Sequence, residues 1–269
     1  MFFLHSVEPQ SIALTLGGLT IHWYGIILSL ALLAGLILLV ILSQRSGLPS
    51  EKVFDLALMV TVAGFIGARL YHVLNEPSYY WNNPGQIFQI WNGGLAIHGG
   101  IIFGGLALLV LARRAKLSLA QLADIMAPAL LIAQAIGRWG NYMNQELFGR
   151  ATNLPWGIPI APQFRPDSAL GSTYFHPVFL YEFLFDLIGS IMLTIWYWRK
   201  QDKKYTPGTI AFAYMIIAGL GRILVEFFRI DQTPHILGVR LPLLISALFV
   251  CAGAAGLLWL RKRRNLPSR

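Results

Sequence analysis

Residues 26–42 read Ile-Ile-Leu-Ser-Leu-Ala-Leu-Leu-Ala-Gly-Leu-Ile-Leu-Leu-Val-Ile-Leu. No charge interrupts them, and Ser29 is the one hydroxyl. A helix needs about 20 apolar residues to cross the hydrocarbon core of a bilayer, because each residue rises only ~1.5 Å. With its flanks, Ile21–Leu42, this run is long enough. Six further windows have the same character: Val53–Leu74, Leu95–Ala112, Leu119–Gly137, Val178–Trp198, Thr209–Phe228 and Leu241–Leu260. The fourth is the most interrupted, by Asp124 and Pro128. The first is not read as a cleavable signal peptide, since Met1–Gly18 has no basic segment and the apolar run is too long.

The composition agrees. Of 269 residues, 56% are hydrophobic and 12% charged, and the mean hydropathy is +0.59. A soluble domain carries about 25% charged residues, so this chain lacks the charge to cover a water-facing surface. Disorder, a collagen-like fibre and a disulfide scaffold are excluded. The single cysteine, Cys251, lies in an apolar run, so no intrachain disulfide and no cysteine cluster for a metal can form. The expected fold is an all-α integral membrane protein with about seven transmembrane helices and ordered outer loops, residues 1–269 forming a single polytopic domain.

The net charge of +9 is a topology signal. Arg45 and Lys52 follow the first window, and Arg113, Arg114 and Lys116 the third. Arg199, Lys200, Lys203 and Lys204 follow the fifth; Arg261, Lys262, Arg263, Arg264 and Arg269 follow the seventh. These are fourteen of the 21 Lys and Arg, all after odd-numbered windows. The positive-inside rule then places the N-terminus outside and the C-terminus inside. Nucleic acid is not implied. The connections Asn75–Gly94 and Asn141–Pro177 fall on the outer side. The five prolines between 155 and 177 predict ordered loop or short strand there.

The seven remaining basic residues are all Arg: 69, 138, 150, 165, 222, 229 and 240. Arg69, Arg138 and Arg222 lie in or at the ends of apolar windows. An intramembrane Arg costs ~2.5–3.5 kcal/mol on insertion scales and is by default a functional-site hypothesis. Arg in place of Lys favours planar recognition of phosphate or carboxylate. Gly137-Arg138-Trp139-Gly140-Asn141-Tyr142-Met143-Asn144-Gln145-Glu146-Leu147-Phe148-Gly149-Arg150 is the densest polar stretch, read as following the fourth window. Glycines let backbone N–H groups approach a ligand, while a capped helix end with a polar loop is the plainer reading. Arg222, Glu226 and Arg229 are spaced to share one helix face, either as a ligand site or as an ion pair that only packs helices. His98-Gly99-Gly100, His176-Pro177 with Tyr181-Glu182, and His22-Trp23-Tyr24-Gly25 could equally be packing, capping or aromatic-belt chemistry. Together these features describe an outward-facing, membrane-embedded anion site, and a phospholipid head group is the obvious embedded anion.

The Gly137–Gly149 stretch closely resembles the signature of the prolipoprotein diacylglyceryl transferases, bacterial inner-membrane enzymes that begin lipoprotein maturation. The other four blocks resemble that family's in the same order, so the resemblance covers essentially the whole chain. It implies transfer of the diacylglyceryl group of phosphatidylglycerol to the lipobox cysteine thiol of a preprolipoprotein, forming a thioether and releasing glycerol phosphate. It also implies a multi-pass protein of the bacterial inner membrane with a periplasmic N-terminus, a cytoplasmic C-terminus, and periplasmic loop regions at 75–94 and 141–177. The partners implied are phosphatidylglycerol, the preprolipoprotein signal peptide and surrounding membrane lipids; no cofactor and no metal is expected. His98, Arg138 and Arg222 are the expected catalytic residues. Arg138, Asn141, Asn144, Glu146, Gly149, Glu226, Arg229 and Tyr24 are the expected substrate-binding set. Glu146 and Glu226 are expected to orient the arginines, and His98 to deprotonate the thiol. A transporter or receptor for an anionic lipid, or an acyl transferase releasing lyso-lipid, are the alternatives. A rhomboid-type protease lacks its Gly-x-Ser-x-Gly elbow here, and a CDP-alcohol phosphotransferase its spaced aspartates.

Overall fold

A computed structural model describes residues 2–200 and 206–264. Lys203, Lys204 and Arg269, counted above among the basic residues, lie outside the described residues. Among those described, seven helices are long and apolar enough to cross a membrane. They are α1 (Trp23–Arg45), α2 (Ser50–Asn75), α3 (Ile97–Arg114), α4 (Leu119–Met143), α5 (Val178–Lys200), α6 (Thr209–Glu226) and α7 (Leu241–Arg264). In hydrocarbon every backbone N–H and C=O must be satisfied within the segment, which long helices achieve. The chain is an all-α integral membrane protein of seven spans. It divides into two compact units, Met1–Leu38 with Ala123–Arg269, and Leu39–Leu122.

In the second unit α2 and α3 meet through glycine. A Cβ at Gly67 would stand 2.7 Å from the carbonyl oxygen of Gly99, and one at Gly99 would strike the backbone of Gly67. Bare backbones are what allow this approach. The connection between the two helices folds into short turns, Pro77–Asn82, Pro84–Phe88 and Ile90–Asn92. Arg69, 9% exposed on α2, holds them: it donates to the carbonyls of Gln86 (2.5 Å), Ile87 (2.8 Å), Gly93 (2.8 Å) and Gly94 (2.9 Å). Its guanidinium also lies 5.3 Å from the centre of the buried Tyr80 ring. The sequence marks Arg69 as a functional candidate; its donors serve the loop backbone instead.

In the first unit a hairpin precedes α1, pairing β1 (Ile12–Leu16) with β2 (Leu19–His22). Its two-residue turn, Gly17–Gly18, has φ of +53° and +89°, as a type I′ turn requires. Asp124, an interruption in the sequence pattern, is fully buried, and its carboxylate accepts from the N–H groups of Gly208 (2.5 Å) and Ala211 (2.8 Å). It therefore caps the start of α6 from a neighbouring helix, satisfying donors that a helix end leaves free. Helices α6 and α7 pack through Gly219 and Gly253, where a Cβ would stand 2.7 Å from the Ser246 carbonyl and 2.6 Å from that of Phe212.

The proline-rich connection after α4 is ordered, as its composition predicts. It carries β3 (Ile158–Pro159) paired with β4 (Tyr174–Phe175), and bridges join Ala151 to Phe175 and Gly149 to Arg229. Tyr142, Ile158, Ile160, Phe175 and Phe179 form its buried apolar core. This small core fixes the C-terminal end of α4 and the N-terminal end of α5, from which the polar cluster described next projects. After the Gly149–Arg229 bridge the chain runs into β5 (His235–Ile236) and β6 (Val239–Arg240) before α7.

Candidate active site

Glu182, on the first turns of α5 and 5% exposed, is shared by three arginines. Its oxygens lie 3.2 Å from Nη1 of Arg138, 3.4 Å from Nη1 of Arg222 and 3.5 Å from Nη1 of Arg229. Around it, Glu226 stands 2.7 Å from Nη2 of Arg222 and 2.8 Å from Nε of Arg240. Asp231 lies 2.6 Å from Nε of Arg229 and 3.8 Å from Nη2 of Arg240, and Asp186 lies 3.9 Å from Nε of Arg138. Burial pushes the Asp231 carboxyl up, but the hydrogen bond and charge of Arg229, with Arg222 and Arg240 beyond, outweigh it. The carboxyl is held below its usual range.

Arg138 and Arg222 line one cavity of about 120 Å³, with Gln134, Glu182, Phe185, Asp186, Ala218 and Gly221. Each guanidinium has five N–H donors, more than its carboxylates take up. The Nε of Arg138 is buried without a hydrogen-bond partner. The arrangement is an internally neutralised arginine pair with donors still available around a small membrane-embedded pocket. It suits a planar or tetrahedral oxyanion.

The polar stretch Gly137–Arg150 does not begin after the helix. Helix α4 continues to Met143, so Arg138 and Asn141 project from its last turns. The backbone then turns sharply, with Gln145 and Leu147 at φ of +52° and +55°. Non-glycine residues hold that conformation only where their surroundings impose it. Gln145 shows how: its amide donates to the Pro9 carbonyl (2.8 Å) and its oxygen accepts from the Ala161 N–H (2.7 Å). Gly149 sits where a Cβ would come within 2.8 Å of the His176 Cβ and 2.9 Å of the Phe228 carbonyl, so only glycine fits. Tyr24 lies against Gly140, whose missing Cβ would stand 2.8 Å from the ring.

Two expectations are corrected. Glu146 does not orient Arg138; it accepts from the amides of Asn141 (2.8 Å) and Asn144 (3.5 Å), and Arg138 turns to Glu182. Nor do Arg222, Glu226 and Arg229 share a helix face, because α6 ends at Glu226 and Arg229 lies past it, its backbone bridged to Gly149. Arg222 and Glu226 do pair as the i, i+4 spacing predicts. Glu182, Asp186, Asp231 and Arg240 were not singled out as site residues. Glu182 and Asp186, two acids one turn apart in an apolar helix, were a signal available in the sequence.

Next to this cluster, Trp156 Nε1 donates to the Tyr181 hydroxyl (3.0 Å), which lies 3.0 Å from Nδ1 of His176. With the indole hydrogen on the phenol oxygen, the phenol's own hydrogen is free for Nδ1, which fits a neutral imidazole. Burial, and then the charge of Arg150, hold His176 below its ordinary range. His98 belongs to the second unit. It is exposed in the first turn of α3, its ring centre 6.0 Å from that of Tyr71.

Comparison with known proteins adds an independent line. Residues 11–259 match the family described as prolipoprotein diacylglyceryl transferase. The chain is 38% identical over 264 residues to the phosphatidylglycerol–prolipoprotein diacylglyceryl transferase of Nostoc sp., covering 97% of this chain and 93% of that protein. It is 40% identical over 254 residues to the enzyme of that name from Acaryochloris marina (93% and 91% covered). To the one from Streptococcus pyogenes it is 38% identical over 259 residues (94% and 95% covered).

Proposed function

The chain belongs to the prolipoprotein diacylglyceryl transferase family, and on that footing we propose that it moves the diacylglyceryl group of phosphatidylglycerol onto the lipobox cysteine of a preprolipoprotein. A thioether forms and glycerol phosphate leaves. The observation that carries the reading is a pocket lined by both Arg138 and Arg222. The sulfur attacks an sp³ glycerol carbon while negative charge grows on the departing phosphate. Guanidinium donors aimed at that charge stabilise the transition state, and Glu182 and Glu226 hold them in place beforehand.

Asn141, Asn144, Glu146, Gly149, Arg229 and Tyr24 are proposed to shape the surrounding substrate site. Gly149 acts through close backbone approach and Arg229 by holding Glu182. His98 is proposed to take the proton of the lipobox thiol, which at pH 7 is only a few per cent ionised. The basic residues after α1, α3, α5 and α7 support a bacterial inner-membrane protein with a periplasmic N-terminus and a cytoplasmic C-terminus. In this topology the loops at 75–94 and 141–177 face the periplasm.

The test is direct. Purified protein is incubated with phosphatidylglycerol and a lipobox peptide, and the products are weighed by mass spectrometry. The expected products are peptide carrying one diacylglyceryl group, and free glycerol phosphate. Lyso-lipid with acylated peptide would make it an acyl transferase, and lipid binding without covalent product would leave a lipid-binding protein.

A further inference from the structure

The cluster holds four arginines, 138, 222, 229 and 240, and four carboxylates, Glu182, Glu226, Asp186 and Asp231. Fully ionised, it is neutral. A phosphodiester entering the pocket is a monoanion and would leave the assembly one negative charge in excess. Uncompensated buried charge is strongly unfavourable, and a carboxylate that takes up a proton removes the excess.

The four acids are not held alike. Glu182 has three arginine contacts between 3.2 and 3.5 Å, Glu226 has two at 2.7 and 2.8 Å, and Asp231 has two at 2.6 and 3.8 Å. Asp186 meets its arginine only at 3.9 Å, yet it lines the pocket with Arg138 and Arg222. The groups around it are Arg138 and Gln134 on α4, Glu182 on its own helix, and Arg222 and Tyr214 on α6. The Tyr214 hydroxyl lies 3.3 Å from the Gln134 amide nitrogen. Of the four acids, Asp186 gives up the least attraction on becoming neutral.

We propose that Asp186 is protonated while the donor's phosphodiester occupies the pocket and passes that proton to the departing phosphate oxygen. The proposal rests on the reading that this pocket binds the donor phosphate. In the step, the thiolate sulfur forms the C–S bond and the C–O bond to phosphate breaks, its electron pair leaving on oxygen. The Asp186 proton moves onto that oxygen, and glycerol phosphate is released as a monoanion; the thiol proton has gone separately to His98. Asp186 is then a carboxylate again and repels the product. The same charge balance that admits the donor expels the leaving group.

Infrared difference spectra of the purified protein, taken with and without dihexanoyl-phosphatidylglycerol, test this. The wild-type complex is expected to show a carboxylic-acid C=O band, absent from Asp186→Asn and shifted in Asp186→Glu. With the lipobox peptide, kcat of Asp186→Asn should fall about 10²–10⁴-fold, the usual contribution of a positioned acid. Its KM for phosphatidylglycerol should not rise, whereas a merely structural role would raise KM along with the loss of kcat. No acid band in the wild-type complex overturns the proposal, as does a band unshifted in Asp186→Glu or wild-type turnover in Asp186→Asn. Failure of the wild type to form any lipidated peptide would instead remove the transferase reading. Product without the band removes only the role of Asp186.

Discussion

Glu182 and Arg138 stand 3.2 Å apart across α5 and α4, and the same carboxylate reaches Arg222 on α6. One acid thus fixes the separation of the two arginines that line the pocket. Taking away one partner of a buried pair leaves the other charge uncompensated, at a cost of about 3–5 kcal/mol. Glu182→Gln is expected to destabilise the protein by roughly that amount. Thermal unfolding in detergent, followed by tryptophan fluorescence, measures it; an unchanged midpoint would show that the three arginines find other partners.

Removing a donor aimed at developing charge typically lowers rate about 10²–10³-fold. Arg138→Ala and Arg222→Ala should each lose at least that much transfer while still inserting in the membrane. Lysine has one point charge in place of a planar fork, so Arg138→Lys and Arg222→Lys should recover little. Initial rates of peptide lipidation by the four variants decide this, and wild-type turnover in both lysine variants would reduce the arginines to a generic positive field.

Arg69→Ala removes four hydrogen bonds to loop carbonyls. Bonds to a charged group contribute about 1.5–3 kcal/mol each, less when summed. Residues 76–96 should therefore exchange their amide hydrogens at least about tenfold faster, with α2 and α3 themselves unchanged. Hydrogen exchange read by mass spectrometry locates the effect; uniform exchange along both helices would place Arg69 in the helix contact instead.

His176 is held below its ordinary value of 6.5 in the folded protein. Below that value an unfolded chain binds the proton more readily, so the stability this histidine confers is full above pH ~6.5 and falls as pH drops through the folded value. The proteolytic resistance of the 141–177 connection should weaken as the pH falls below about 6.5. His176→Asn should lack that dependence. The same acid sensitivity in both proteins would assign it to another group.

The spans were legible because a bilayer sets helix length, and all seven windows contain helices. Boundaries were less so: α4 runs past Gly137 to Met143, since two nearby glycines do not end a helix that packing holds. The Trp139 ring does some of that packing, against Phe179 and Phe183. The hairpin before α1 was written in the alternation around Gly17-Gly18 but was not drawn from it. At the site, the arginines were visible one by one because charge in an apolar run stands out. Which acid each would meet was not, since Glu182 faces Arg138 and Arg222 only after three helices assemble. Glu146 misled through proximity in sequence, which past a tight turn says nothing about direction.

The shared carboxylate also constrains how the protein is made. Arg138 enters the bilayer on α4 before the ribosome has reached Glu182 and Asp186, its partners on α5. At ~5–20 residues/s the interval is a few seconds, and throughout it a guanidinium costing ~2.5–3.5 kcal/mol in lipid has no acid beside it. Helix α5 then arrives with two acids of its own, whereas α6 carries Arg222 and Glu226 as an internal pair. Biogenesis of this centre thus depends on α4 remaining beside the insertion machinery until α5 joins it. A chain divided between Met143 and Val178 should leave its first half a substrate for membrane quality control unless the second half is synthesised in the same cell.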